Sequence, residues 1–238
     1  MSAPDTTTTA ATPFLMKPFV VLTVAMAGLG LLAAGVVSLI LAKTRTPVAA
    51  TDTFTSAEPP AYFDAPFFTL TERSGAEVST ADLDGKVWVA GFVFTRCTEG
   101  CPAVTGTLAK LQADLKLADR DDVRLVCFTV DPERDGRDEL KKYAKIYGAD
   151  ETKWLFLTGK EKLVRPLLKR GFKIVADKRP EPKPGYEFDH SSKLYLVDKQ
   201  GRVRSTFDGM KGEHDATGER FASEQARLRE MIAQLVKE

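Results

Sequence analysis

The sequence predicts an α/β domain, a sheet covered by helices, preceded by one N-terminal transmembrane helix. Three observations predict it. The C-terminal part alternates unbroken apolar runs, as strands buried on both faces require, with amphipathic helical segments. Residues 19–42 carry no charge and match the ~20 residues needed to cross a bilayer core. Between the two lies a Thr/Ala/Pro-rich stretch with the composition of a linker.

Taken in order, residues 1–18 read as a disordered cytoplasmic tail. The segment 19–42 competes with a signal-peptide reading, because Val48-Ala49-Ala50 looks like a cleavage site. Its apolar run exceeds the roughly 7–15 residues of a signal core, and Lys43 and Arg45 intervene. A single-pass, uncleaved anchor is the better expectation. Lys17 on one flank and Lys43 and Arg45 on the other leave the positive-inside rule nearly balanced. Residues 43–65 form a flexible tether with an r.m.s. reach of roughly 25 Å, enough to approach another membrane protein.

The domain at 66–238 opens with strands at 67–71 and 76–80 across Ser74-Gly75. The run 87–94 is a buried strand, and Pro102 opens a helix that places Leu108, Leu111 and Leu115 on one face. A second buried strand is expected at 123–130 and a helix at 138–147. A short strand follows at 154–157, then a helix at 160–170 kinked or started late by Pro166. Strands are expected at 172–175 and 193–197, with the Pro-rich stretch 178–185 as an exposed loop between them. The turn 198–201 leads into a strand at 203–207, and Phe221, Leu228, Met231, Ile232 and Leu235 mark an amphipathic C-terminal helix. A strand, a cysteine pair at the N-terminus of the first helix, and a closing hairpin and helix give the order of a thioredoxin-like fold.

Lys+Arg number 34 and Asp+Glu 33, a net charge of +1 that argues against a nucleic-acid partner. Three cysteines are too few for a disulfide scaffold. Cys127 lies inside an apolar run and reads as a small core hydrophobe. Cys97 and Cys101 differ. They flank Thr98-Glu99-Gly100 where a strand runs into a helix, and the positive end of a helix favours thiolate. Thiolate attacks disulfides and binds soft metal ions, so the pair reads as redox or metal chemistry. The i, i+4 spacing puts both residues on one helix face, whereas thioredoxin-type pairs have two intervening residues. Of the two histidines, His214 sits in a charged loop; His190 adjoins Asp189 and stands at the start of an expected strand of the same sheet. On spacing alone either is an ordinary exposed histidine.

The segments FTRCTEGCP, VDPERD, WLFLTG and DHSSKLYLVDKQGRVR together resemble the Sco (SCO/SenC) family of copper-binding proteins of cytochrome c oxidase assembly. The resemblance covers nearly the whole soluble domain. It implies a thioredoxin-like fold and copper ligands at Cys97, Cys101 and His190, with Cys97 and Cys101 also able to form a redox disulfide. It implies a membrane-anchored metallochaperone that delivers copper to the binuclear centre of cytochrome c oxidase subunit II or a related copper oxidase subunit. The bacterial inner membrane, with the domain on the periplasmic or extracytoplasmic side, is the implied location, or the mitochondrial inner membrane in a eukaryote. Thr98-Glu99-Gly100 departs slightly from the family's more apolar, aspartate-bearing interval. Soft thiolates suit Cu(I) and an imidazole suits Cu(II), so such a set can hold both states. Zinc is the competing metal, but its structural sites want four ligands. Asp131 and Asp189 are candidates for orienting ligands or recognising a partner, and otherwise plain loop carboxylates. The alternative function is a thiol–disulfide oxidoreductase that reduces the target cysteines before metallation. A thiol peroxidase is disfavoured because Phe94 stands where its motif has proline.

Overall fold

The computed structural model describes residues 61–238. The expected tail, the anchor at 19–42 and the tether up to residue 60 lie outside the described residues. Among the described residues, no helix is long and apolar enough to cross a membrane.

An eight-stranded mixed sheet organises the domain. Its strands are β1 (Phe63–Asp64), β2 (Thr69–Glu72), β3 (Glu77–Ser79), β4 (Val87–Val93), β5 (Val123–Thr129), β6 (Trp154–Thr158), β9 (Lys193–Val197) and β10 (Arg202–Asp208), in the spatial order β1-β10-β9-β4-β5-β6-β2-β3. The centre, β4, β5 and β6, is parallel. Every residue of β4 is buried, as a run with no polar residue permits. The remaining strands pair antiparallel on either side. Helices α1 (Gly100–Leu115) and α2 (Arg137–Ile146) make the two crossovers between the parallel strands, α3 (Glu161–Pro166) follows β6, and α4 (Glu219–Leu235) closes the chain. Helix α1 buries Val104, Leu108 and Leu111, each worth about 1.5–3 kcal/mol relative to exposure.

The expected elements hold except in two places. The end of the expected tether belongs to the domain: Phe63–Asp64 form β1 against β10, and Ala65 is buried with its amide donating to the Gly201 carbonyl at 2.7 Å. The second place follows β6. Pro166 lacks the N–H that an α-helix needs, and the helix passes there into a π-helical turn at Leu167–Gly171. The expected strand at 172–175 does not form. Lys173 adopts a left-handed φ of 57°, which extended backbone excludes. Phe172 is instead fully buried in an aromatic cluster with Trp88, Phe92, Phe128 and Tyr195.

The Pro-rich stretch is exposed as expected, but it is not a loop. It is most of strand β7 (Ala176–Lys183), paired with β8 (Tyr186–His190) in a separate two-stranded ribbon. Pro180 and Pro182 are tolerated because the ribbon is all edge and its register slips between Lys178 and Lys183. His190 therefore ends a ribbon strand opposite Ala176, rather than beginning a strand of the main sheet.

Candidate metal centre

β4 stops at Val93 and the chain turns, with the Cys97 amide donating to the Phe94 carbonyl at 3.2 Å. Helix α1 starts at Gly100, with Pro102 in its first turn, where a missing N–H removes no helical bond. First-turn amides lack intrahelical acceptors. That of Cys101 donates to Cys97 Sγ at 3.3 Å. Cys97 thus lies ahead of the helix and caps it, instead of sharing a helix face with Cys101. The two sulfurs converge for that reason. Cys101 is fully buried, and its Sγ accepts the Phe94 amide at 3.4 Å.

His190 Nε2 approaches from the ribbon, 3.2 Å from Cys101 Sγ. Its Nδ1 lies 3.2 Å from the Ser191 carbonyl oxygen. A carbonyl can only accept, so Nδ1 holds the proton and Nε2 keeps its lone pair towards the sulfurs. Phe94 meets the imidazole edge-on, ring centres 5.5 Å apart. Ligand atoms of Cys97, Cys101 and His190 all lie within 4.8 Å of one another, the one such group of His, Cys, Asp or Glu among the described residues. His214 is exposed on the loop after β10.

The two thiols are electrostatically opposite. The Cys97 thiol is lowered to about 4, chiefly because the Cys101 thiol hydrogen-bonds to it, with the amides of Cys101 and Glu99 adding to the effect against partial burial. Burial, and then the neighbouring Cys97 sulfur, push Cys101 far above the ordinary thiol range. The metal-free, reduced pair is one half-exposed thiolate beside one buried thiol. Cys127 is pushed up to about 12 by burial, although Trp154 Nε1 donates to it at 3.3 Å. Iodoacetamide should therefore modify Cys97 first. Its rate should stay flat between about pH 6 and pH 8, where an ordinary thiol of pKa about 8.5 gains nearly tenfold per unit. Mass spectrometry of the modified peptides checks both order and slope; a slope like that of free cysteine contradicts the thiolate assignment.

The ribbon is fastened to the cysteine turn from several sides. The Thr98 amide donates to the Gly185 carbonyl at 3.3 Å, and Tyr186 Oη donates to Glu99 at 2.6 Å. Gly185 has φ +84°, and a Cβ there would collide with the Thr98 side chain, so this approach requires glycine. Buried Glu187 receives Arg134 Nη1 at 3.1 Å and faces Arg96 Nε at 3.8 Å. Arg165 donates to the Ala176 carbonyl at 3.1 Å.

Of the two carboxylates singled out in the sequence, Asp189 lines the same cavity as Cys97 and His190, and Asp131 does not. Asp131 is buried with no hydrogen bond to its carboxylate oxygens, 3.5 Å from Arg134 Nε, and burial raises its pKa. Asp189 is exposed and pairs with Arg179 at 2.7 Å. The carboxylate that braces the turn is Asp135, the second aspartate of VDPERD. It accepts Thr129 Oγ1 and Thr95 Oγ1, each at 2.6 Å, and the Thr95 amide, tying the residues before Cys97 to the end of β5. Burial raises its pKa, and those hydrogen bonds oppose the rise. The motif contains both aspartates, so the sequence offered Asp135 without a reason to prefer it.

The SCO1/SenC family profile matches residues 56–223. The SCO1 protein homolog of Bacillus subtilis (strain 168) is 36% identical over 152 residues, covering 63% of this chain and 77% of that protein. The structure of Bradyrhizobium japonicum ScoI with copper bound superposes with a TM-score of 0.56 at 25% identity, covering 69% of this chain and 99% of the other. BsSco, described as a member of the Sco family of cytochrome c oxidase assembly proteins with a disulfide switch, superposes with a TM-score of 0.56 at 32% identity over 71% of this chain and 96% of its own.

Proposed function

The chain belongs to the SCO1/SenC family, and from that premise we propose that it binds copper through Cys97, Cys101 and His190 and delivers it to the binuclear copper centre of cytochrome c oxidase subunit II or a related copper subunit. One observation carries this reading: two sulfurs and a lone-pair imidazole nitrogen within 4.8 Å of one another. Thiolates select Cu(I), and the imidazole adds a donor suited to Cu(II). Binding at Cys101 displaces its proton, as thiol ligands require. Cys97 lines an open cavity with His190, so an incoming protein ligand can reach the ion from that side. The copper-bound ScoI relative supports the choice of metal. Anaerobic titration of the full chain with Cu(I) tests it: saturation at one copper per chain is expected, and no uptake sinks the reading.

The anchor at 19–42 holds the domain outside the cytoplasm, where such an oxidase subunit displays its copper site. A C-terminal alkaline phosphatase fusion should be active in a bacterial host and a green fluorescent protein fusion dark. The reverse pattern would exclude that partner.

The second reading, a thiol–disulfide oxidoreductase acting on the target's cysteines, is favoured by the thiolate–thiol asymmetry. Cys97 thiolate attacks the target disulfide to give a mixed disulfide. Cys101, deprotonated as it attacks, then resolves it, leaving the target as two thiols and Cys97–Cys101 oxidised. The disulfide switch of BsSco supports it. That chemistry has no use for His190, which separates the two readings.

A further inference from the structure

The loop after β10, Met210-Lys211-Gly212-Glu213-His214, contributes a side chain to the copper cavity, and it is not the histidine. Met210 lines the same cavity of about 210 Å³ as Cys97, Gly100 and His190. Its Sδ lies 3.6 Å from where a Cβ on Gly100 would stand, against the backbone that joins the two cysteines. The loop is drawn there by Gly209, whose amide donates to the Ser192 carbonyl at 2.9 Å, two residues beyond His190. A Cβ at 209 would strike that carbonyl oxygen and press on the Val104 methyls, so only glycine lets the chain come so close. Met210 is partly buried against the core, with its thioether on the cavity side.

We propose that Met210 is a further ligand of this centre, a thioether that engages Cu(I) at the mouth of the cavity. The inference rests on the copper-binding reading above. A thioether is soft, uncharged and held on three rotatable bonds, so it can follow an ion without a change in backbone. It strengthens Cu(I) and contributes little to Cu(II) or zinc, which prefer nitrogen and oxygen or charged sulfur. It complements His190, whose imidazole favours the oxidised ion. The two neutral donors, one from the ribbon and one from the loop after β10, would divide the two oxidation states between them. The alternative is a methionine that merely fills space.

The described residues contain two methionines, Met210 and Met231, and Met231 faces the core from α4. Selenium-edge X-ray absorption on the full selenomethionine chain loaded with one Cu(I) should show a copper neighbour bonded to selenium. The signal should vanish in Met210→Leu and persist in Met231→Leu. Competition titration should show Met210→Leu weakening Cu(I) on the order of tenfold, with Cu(II) affinity unchanged. Because the absorption measurement on the unsubstituted chain needs no variant, a folding defect in Met210→Leu leaves the test intact. One Cu(I) bound without a selenium neighbour overturns the ligand while leaving the copper function standing. A chain that takes up no copper overturns both.

Discussion

Copper stoichiometry is expected to fall from one per chain to none when either Cys97 or Cys101 is replaced by serine. A serine hydroxyl neither ionises near neutral pH nor offers a soft donor, so the loss should exceed about 100-fold, or about 2.7 kcal/mol. The fold should survive. At position 101 the hydroxyl can accept the Phe94 amide and donate to His190 Nε2, the two groups that now flank the sulfur, so destabilisation should stay near 1 kcal/mol. Cys127→Ser is the control. Its sulfur is buried beneath the sheet's helices and receives Trp154 Nε1, a bond a hydroxyl can also accept. Metal analysis after gel filtration reads all three. Retention of one copper by either site variant, or its loss from Cys127→Ser with an unchanged circular dichroism spectrum, would show that the ligands lie elsewhere.

His190→Ala should weaken Cu(II) by about 100-fold and Cu(I) by no more than about tenfold, because two thiolates satisfy the reduced ion while the oxidised ion seeks nitrogen. The Cys97–Cys101 pair should still cycle between dithiol and disulfide. His214→Ala should change neither affinity, since its side chain is exposed on a loop. Paired competition titrations, one per oxidation state, decide the matter. Undiminished Cu(II) binding in His190→Ala would leave the oxidoreductase as the better account.

How much of this was legible in the sequence varies with the kind of interaction. β4 and β5 were readable because a parallel strand covered on both faces is largely apolar, entirely so in β4 and broken in β5 only by Arg124 near its start and Thr129 at its end. The ribbon was not. A stretch with two prolines and four charged residues at 178–183 reads as a loop, and only its pairing with β8 makes it a strand. The failed strand at 172–175 has a similar cause: Phe172 serves an aromatic cluster, Val175 is exposed, and the left-handed Lys173 between them breaks the extended path. At the centre itself, spacing brought the cysteines together for the wrong geometric reason. They meet because one caps the helix that contains the other. Asp135, Glu187 and Met210 reach the site only through tertiary contacts, and no local pattern distinguishes them from other acids or from an ordinary apolar residue.

The separation of ribbon and helix has a thermodynamic consequence. Cys101 and His190 are 89 positions apart in the chain, so an ion gripping both is a removable cross-link spanning a long loop. Such closures restrict the unfolded chain, and anything bound only by the native state adds stability by mass action, about 4 kcal/mol at a thousand times its dissociation constant. Loading would therefore tighten the ribbon more than the sheet, whose buried strands are already packed. Amide exchange in β7 and β8 should slow on loading, while exchange in β4 and β5 hardly changes. Under the proposed function, cargo would then be written into the stiffness of the ribbon, and surrendering the ion would slacken it.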